Sequence, residues 1–296
     1  AIRRSRCYFN NEKWAEKSTM KNDLNYAVEL IRKADGILIT AGAGMSVDSG
    51  LPDFRSSGGF WNAYPAFREH NLNFQDIAIP MSFETHTELI YWFYGHRLVQ
   101  YRNTTPHEGY QILKRWASEK PHGYFVFTSN VDGHFQKAGF EEKRVYEVHG
   151  TLERMQCVHD CHHQSWTAKD FQPEVDNANL RLMSPYPRCP FCGGLARQNV
   201  LMFDDWFYNS NYQDLKRTSL DQWIKGVPNL VVIELGAGKA IPTVRYFSER
   251  TAKAKKAGFI RINPQDGGVS KHHFLGLDMT ALEALKAIDV LLNQST

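Results

Sequence analysis

Thr40-Ala41-Gly42-Ala43-Gly44-Met45-Ser46-Val47-Asp48-Ser49-Gly50-Leu51-Pro52-Asp53-Phe54-Arg55 is the stretch on which the reading of this chain turns. Just ahead of it runs Gly36-Ile37-Leu38-Ile39, a short apolar run of the kind that forms a strand buried on both faces. Gly42 and Gly44 follow at once. Without a β-carbon they let the chain turn sharply and let an anionic ligand approach the backbone N–H groups. Ser46 and Ser49 suit the start of a short helix, which Gly50-Leu51-Pro52 ends. Strand, glycine turn and helix in this order hold a pyrophosphate in doubly wound α/β domains. The glycine pair alone reads equally well as a plain turn.

The longer string is more specific. G-A-G-x-S-x-x-S-G-x-P-D-F-R, met at Gly42, Ala43, Gly44, Ser46, Ser49, Gly50, Pro52, Asp53, Phe54 and Arg55, resembles the signature of the sirtuins, the NAD-dependent protein deacylases. The resemblance implies that Gly42, Ala43, Gly44, Ser46, Asp53, Phe54 and Arg55 contact NAD. Further on, Tyr124 to Thr128 reads as a buried strand that delivers Ser129-Asn130-Val131-Asp132-Gly133-His134. This is similar to the family motif T-Q-N-I-D-x-L-H-x-x-A-G, matched at Thr128, Asn130, Asp132, Ala138 and Gly139. Ser129 stands where the family has Gln, and His134 sits one place before the family's His. By resemblance, Ser129, Asn130 and Asp132 serve the nicotinamide end of the cofactor, with Asp132 holding the carboxamide and Asn130 placing a water. One histidine among twelve is more often structural than catalytic. Val148-His149-Gly150-Thr151-Leu152, however, resembles the segment that carries the sirtuin general base, so His149 becomes the catalytic candidate.

The totals set the frame. The chain has 296 residues, 42% hydrophobic and 23% charged, as expected of a globular enzyme with one large domain or a large and a small one. A net charge of +3 is too small to argue for nucleic acid or an anionic membrane, and no apolar run approaches spanning length. Residues 1 to about 20 read as a polar leader without a secretory apolar segment, and the expected address is the cytoplasm. Four of the five cysteines form two close pairs, Cys157/Cys161 and Cys189/Cys192, the second with Pro190 and Gly193-Gly194 giving a tight turn. Two such pairs fit one closed tetrahedral zinc site, structural because no ligand position stays open. His159, His162 and His163 lie near enough in sequence for one of them to replace a thiolate.

The remaining segments fill in the fold. Leu24, Ala27, Val28, Leu30 and Ile31 recur at helical spacing over Asn22–Ala34. The glycine- and aromatic-rich run from Ser56 to Pro65 reads as a loop, either a lid over a ligand or a surface loop pinned by Phe60 and Trp61. Phe83 to Tyr101 reads as one aromatic helix, on which Tyr94 and Arg97 share a face. An Arg there packs its stem and reaches water, or meets an anionic partner. F-Y-x-x-R is similar to the pair with which class III sirtuins hold succinyl-, malonyl- or glutaryl-lysine. Phe203-Asp204-Asp205 resembles the family's F-G-E loop, which pairs with the peptide substrate. The strand Asn229–Leu235 ends in Gly236-Ala237-Gly238-Lys239, where sirtuins have Gly-Thr-Ser-Leu. Backbone N–H groups at Gly236 and Gly238 would then have to hold the cofactor. The strand Phe259–Asn263 is similar to the one whose Asn touches the adenosine ribose, and Asp278–Leu292 reads as a closing amphipathic helix.

The chain is thus identified as resembling a sirtuin over roughly residues 22 to 292. The expected fold class is α/β: a Rossmann-like doubly wound parallel sheet over 22–55, 104–152 and 198–296, with a smaller helical and zinc-binding domain over 56–103 and 153–197. The resemblance implies an NAD-dependent lysine deacylase with one structural zinc, acting on an acyl-lysine protein or peptide, with no nucleic acid or membrane partner. The acyl oxygen would attack the ribose C1′, with His149 as base acting through the ribose hydroxyls. Two alternatives use the same pocket: an NAD hydrolase if water reaches C1′, and a mono-ADP-ribosyltransferase if a protein side chain does. A third is a module that binds NAD or ADP-ribose without turnover.

Overall fold

The computed structural model describes residues 20–53, 57–69, 71–270 and 273–294. The polar leader and the expected cofactor residues Phe54 and Arg55 lie outside the described residues. Strands run in chain order as β1 (Gly36–Ala41), β2 (Tyr124–Thr128), β3 (Val145–Glu147), β4 (Gly150–Cys157), β5 (Ser165–Thr167), β6 (Val175–Asp176), β7 (Arg181–Leu182), β8 (Ala196–Val200), β9 (Leu230–Leu235), β10 (Gly258–Ile262) and β11 (Leu275–Leu277). One six-stranded sheet has the order β11-β10-β9-β1-β2-β3, with every pairing parallel. The chain moves from β1 outward to β3, returns beside β1 as β9, and then moves outward the other way. The topological switch point therefore falls between β1 and β9, where open α/β sheets bind ligands.

The apolar runs form these strands because both faces of the sheet are covered. Ile37 and Ile39 of β1 point into a cluster with Val126, Val231, Ile233 and Leu285, under the helices 20–33, Glu108–Ser118 and Ala281–Gln294. Leu38, between them, points the other way, with Phe125, Phe127, Val232 and Phe259 under the helices Asn211–Gly226 and Thr243–Lys255. Alternation along the strand sends neighbours to opposite faces, and burying each such side chain contributes about 1.5–3 kcal/mol. The last helix starts at Ala281 and not at Asp278 because Thr280 and Glu283 cap it reciprocally, Thr280 N–H to Glu283 Oε2 at 3.1 Å and Glu283 N–H to Thr280 Oγ1 at 3.3 Å. No helix among the described residues is long and apolar enough to cross a membrane.

Above the carboxyl ends of the strands sits an aromatic cluster. The segment expected as a loop after Ser56 is helical over Ser57–Ala63. Phe60 is buried there at 5.1 Å from Phe67, and Tyr64 packs 5.0 Å from Phe93. Packing has overridden the helix-poor composition. The aromatic helix expected over Phe83–Tyr101 breaks at His86 into Ser82–Thr85 and Thr87–Asn103. Thr85 and Thr87 flank the break, with their hydroxyls bonded back to Met81 O at 3.0 Å and Phe83 O at 2.8 Å.

Cys157 ends β4 of the three-stranded antiparallel sheet β5-β4-β8, and Cys161, Cys189 and Cys192 lie in the turns between its strands. The four Sγ atoms of Cys157, Cys161, Cys189 and Cys192 lie within 4.8 Å of one another, with Cys157–Cys192 at 3.8 Å and Cys161–Cys189 at 3.6 Å. A tetrahedral zinc with bonds of about 2.3 Å sets its sulfurs about 3.8 Å apart, so the four thiols are positioned for a structural zinc. The nearby histidines are engaged elsewhere: His159 against Phe207, His162 against Phe191, and His163 with Asp160 Oδ2 at 2.6 Å. Elemental analysis should find about one zinc per chain, and Cys189→Ser should abolish the metal and unfold or aggregate the protein. A metal-free chain that melts like the wild type would refute the assignment.

Candidate active site

A cavity of about 500 Å³ opens over the switch point. Gly42, Ala43, Ser46, Asp53, Ser129, Asn130, Asp132, His149 and Gly238 line its sheet side, and Tyr94, Arg97 and Phe203 line the side toward the aromatic cluster. Its floor is made by two glycine turns that cross backbone against backbone. A β-carbon on Gly42 would lie 2.8 Å from Gly236 O and 2.9 Å from Ala237 Cα. One on Gly236, which has φ +58°, would lie 2.3 Å from Met45 N. Gly42 N–H donates to Leu235 O and Gly44 N–H to Gly236 O, both at 3.0 Å. Only glycine fits this approach; these N–H groups are spent in joining the two turns, and Gly42, Ala43, Gly238 and Ala240 beside the crossing face the cavity with small or no side chains.

Not every expected cofactor residue reaches the cavity. Gly44, Gly236 and Asn263 lie outside the cavity lining. Asn263, expected at a ribose, is buried and supports the turn instead. Its Nδ2 donates to Ala237 O at 3.0 Å, while its Oδ1 accepts from Gln265 N and Asp266 N at 3.0 Å each. Arg245, which the sequence did not single out, donates from Nε to the same Ala237 O at 3.0 Å. Lys239 pairs with Asp266 at 2.5 Å, which gives that residue a role in fastening the turn.

Polar side chains converge beside the crossing. Ser46 Oγ donates to Asp132 Oδ2 at 2.6 Å, while Asp132 Oδ1 accepts the His134 backbone N–H at 2.9 Å. Asn130 Nδ2 donates to Gly42 O at 3.0 Å and to Ser46 Oγ at 3.3 Å. Both amide hydrogens are spent, which leaves Asn130 Oδ1 as an acceptor for a ligand hydroxyl or a water. His149 follows β3, and its carbonyl accepts Leu201 N–H at 2.9 Å. Burial pushes its imidazole below the ordinary value of 6.5, against a smaller opposing hydrogen bond that the ring donates to the Ser129 backbone. A neutral imidazole at neutral pH is the form a general base needs.

At the far end, Arg97 is buried and lines the cavity with Tyr94 and Tyr101. Its Nε and Nη2 donate to Tyr101 Oη at 3.1 and 2.7 Å, and its guanidinium lies over the Phe93, Tyr94 and Tyr101 rings at 5.3, 5.8 and 5.3 Å. Tyr101 lies one helical turn after Arg97, a spacing from which it could have been found.

The two aspartates after Phe203 have opposite fates. Phe203 lines the cavity and donates its N–H to Ala78 O at 2.8 Å. Asp204, expected at the substrate, is exposed with φ +50° and lies outside the lining. Asp205 turns inward to Arg197 Nη2 at 2.8 Å, with both side chains fully buried, and accepts Met202 N and Phe207 N at 3.2 Å each. Its charge is therefore neutralised within the loop and is not presented to the cavity.

A family model described as the Sir2 family matches residues 42–223. The chain is 28% identical over 235 residues to an Aquifex aeolicus protein named NAD-dependent protein deacylase, covering 79% of this chain and 86% of that one. It is 26% identical over 261 residues to a Fusarium oxysporum f. sp. cubense protein named probable bifunctional ADP-ribose hydrolase/ADP-ribosyltransferase, covering 83% of this chain and 42% of that one. Among solved structures, a Sir2 homologue in complex with NAD superposes with a TM-score of 0.67 at 21% identity, over 91% of this chain and 93% of that one. At that identity the likeness is one of fold.

The loop geometry sets a stability contrast. Asp205→Ala leaves the Arg197 charge buried and unpaired and should cost about 3–5 kcal/mol. Asp204→Gly relieves a left-handed conformation and should be neutral or stabilising by up to about 1 kcal/mol. Denaturant melts of the two variants check this, and similar losses in both would contradict it.

Proposed function

The chain belongs to the Sir2 family, and from that premise we propose that it is an NAD-dependent protein-lysine deacylase that uses one bound acyl-lysine segment per turnover. The observation that carries the reading is the one cavity in which Gly42, Ala43, Asn130, Asp132 and His149 face Tyr94, Arg97 and Phe203. The sheet-side residues fit the phosphates and nicotinamide end of NAD, because Gly42, Ala43 and Gly238 leave room beside the turns and Asp132 offers a carboxylate fixed at both oxygens. When bound, NAD supplies an activated ribose carbon to the acyl oxygen. His149, kept neutral by burial, accepts a proton within the cavity. Asn130 orients a hydroxyl or water through Oδ1, its amide nitrogen being committed to Gly42 and Ser46. The acyl chain would lie toward Tyr94 and Arg97, and Phe203 would flank the substrate backbone. The zinc module and the 202–207 loop hold that side of the cleft and take no part in bond making. The deacylase name of the Aquifex relative supports the reading.

Incubation with NAD and acylated peptides, followed by mass spectrometry, should show nicotinamide release that requires the peptide. Release without peptide would point to an NAD hydrolase, and ADP-ribose attached to protein would point to a transferase. His149→Ala should lower kcat/KM by at least about 100-fold in a folded protein. The base works neutral and its pKa is depressed, so the acid limb of the wild-type profile should fall below pH 6.5, and a limb above 6.5 would contradict the assignment. Hydrogen bonds to charged groups contribute about 1.5–3 kcal/mol. Arg97 should therefore favour a succinyl- over an acetyl-peptide by roughly 10- to 150-fold. Arg97→Met should erase that ratio, and an unchanged ratio would remove Arg97 from acyl recognition.

A further inference from the structure

Ser46 makes more contacts than a helix-start serine needs. Its hydroxyl reaches Asp132 Oδ2 at 2.6 Å, Tyr110 Oη at 3.0 Å and Asn130 Nδ2 at 3.3 Å. A hydroxyl has one hydrogen to give and two lone pairs with which to accept. An ionised carboxylate only accepts, so the Ser46 hydrogen goes to Asp132. The serine oxygen must then accept from both Asn130 and Tyr110. The direction of the chain is fixed: Tyr110 O–H to Ser46 O–H to Asp132, with Asn130 joining at the serine. Tyr110 is held to be a donor, because burial, reinforced by Asp132, pushes its phenol well above 10.

Tyr110 is also placed with little freedom. It lies in the first turn of the helix Glu108–Ser118 and is fully buried, with its ring 4.9 Å from His107 and 5.0 Å from Phe135. That helix is pinned onto the glycine turn by His107. Its Nδ1 accepts Gly109 N–H at 3.0 Å, so the other ring nitrogen carries the hydrogen that reaches Met45 O at 2.8 Å. His107 N–H also donates to Ser49 Oγ at 3.0 Å.

We propose that Tyr110 is a positioning residue for the deacylation reaction, acting through Ser46 to orient Asp132 and Asn130 together. The inference rests on the deacylase reading above, and its test separates the two. Tyr110→Phe keeps the packed ring and removes only the donor. Losing a hydrogen bond of about 0.5–1.5 kcal/mol should lower kcat/KM for NAD roughly 2- to 13-fold, with the KM for acyl-peptide unchanged and the melting temperature lowered by only a few degrees. In a Ser46→Ala background the same change should have no further effect, because the relay is already cut. The four proteins are compared in turnover and in NAD affinity by calorimetry. Wild-type values in Tyr110→Phe, a full second loss in the Ser46→Ala background, or a loss that disappears when the assay is run well below the melting temperature would each overturn the proposal. If the wild type binds NAD but releases no nicotinamide, the deacylase reading fails, and the affinity cycle alone decides whether Tyr110 is coupled to Ser46.

Discussion

The structure depends on one close approach: the turn after β1 and the turn after β9 cross at Gly42 and Gly236 with no room for a β-carbon on either. The parallel pairing of β1 with β9 brings the two turns together, and Gly236 N–H to Ile262 O at 2.9 Å ties β10 to the same point. A cavity floor with small or no side chains results at the switch point, and the polar groups are arranged around it. Asn130 is fastened to Gly42 O, Asp132 to Ser46 in the turn just beyond, and Asn263 and Arg245 to the Ala237 carbonyl behind it. A displacement of the crossing would therefore move the cavity floor and the polar residues together. Functional sites built on rigid elements hold their geometry in this way.

Buried charge fixes the parts that packing alone would leave loose. Arg197 and Asp205 pin the loop that presents Phe203, and Arg261 bridges Glu234 at 2.6 Å and Glu249 at 2.9 Å beneath the second glycine turn. Such pairs contribute little net stability against an apolar alternative, yet they are costly to break on one side. In this fold they restrict the loop and the turn to a single arrangement.

Much of the sheet could be read from the chain, because strands covered on both faces must be largely apolar, as the runs Tyr124–Phe127 and Leu230–Ile233 are. The cysteine pairs were legible for a chemical reason, since four thiols at short spacing have few other uses. Ser57–Ala63 misled because its helix owes its existence to Phe60 meeting Phe67 and Phe93, contacts that composition does not reveal. Asp204 and Asp205 are identical in type and adjacent, and only the fold turns one out and the other onto Arg197. The bonds of Tyr110 to Ser46 and of Asn263 to Ala237 join residues far apart in sequence, and no local pattern encodes those.

The central claim, that the crossed glycine turns form the NAD-binding surface, is tested most directly by titrating NAD into the wild type and into Gly42→Ala by calorimetry. The added methyl meets backbone atoms, not a yielding side chain. Accommodating it should cost about 1–3 kcal/mol. If the turns must part to bind NAD in the variant, affinity should fall by roughly 5- to 160-fold while unfolding stays cooperative. An alanine variant that binds NAD as tightly as the wild type would contradict the account.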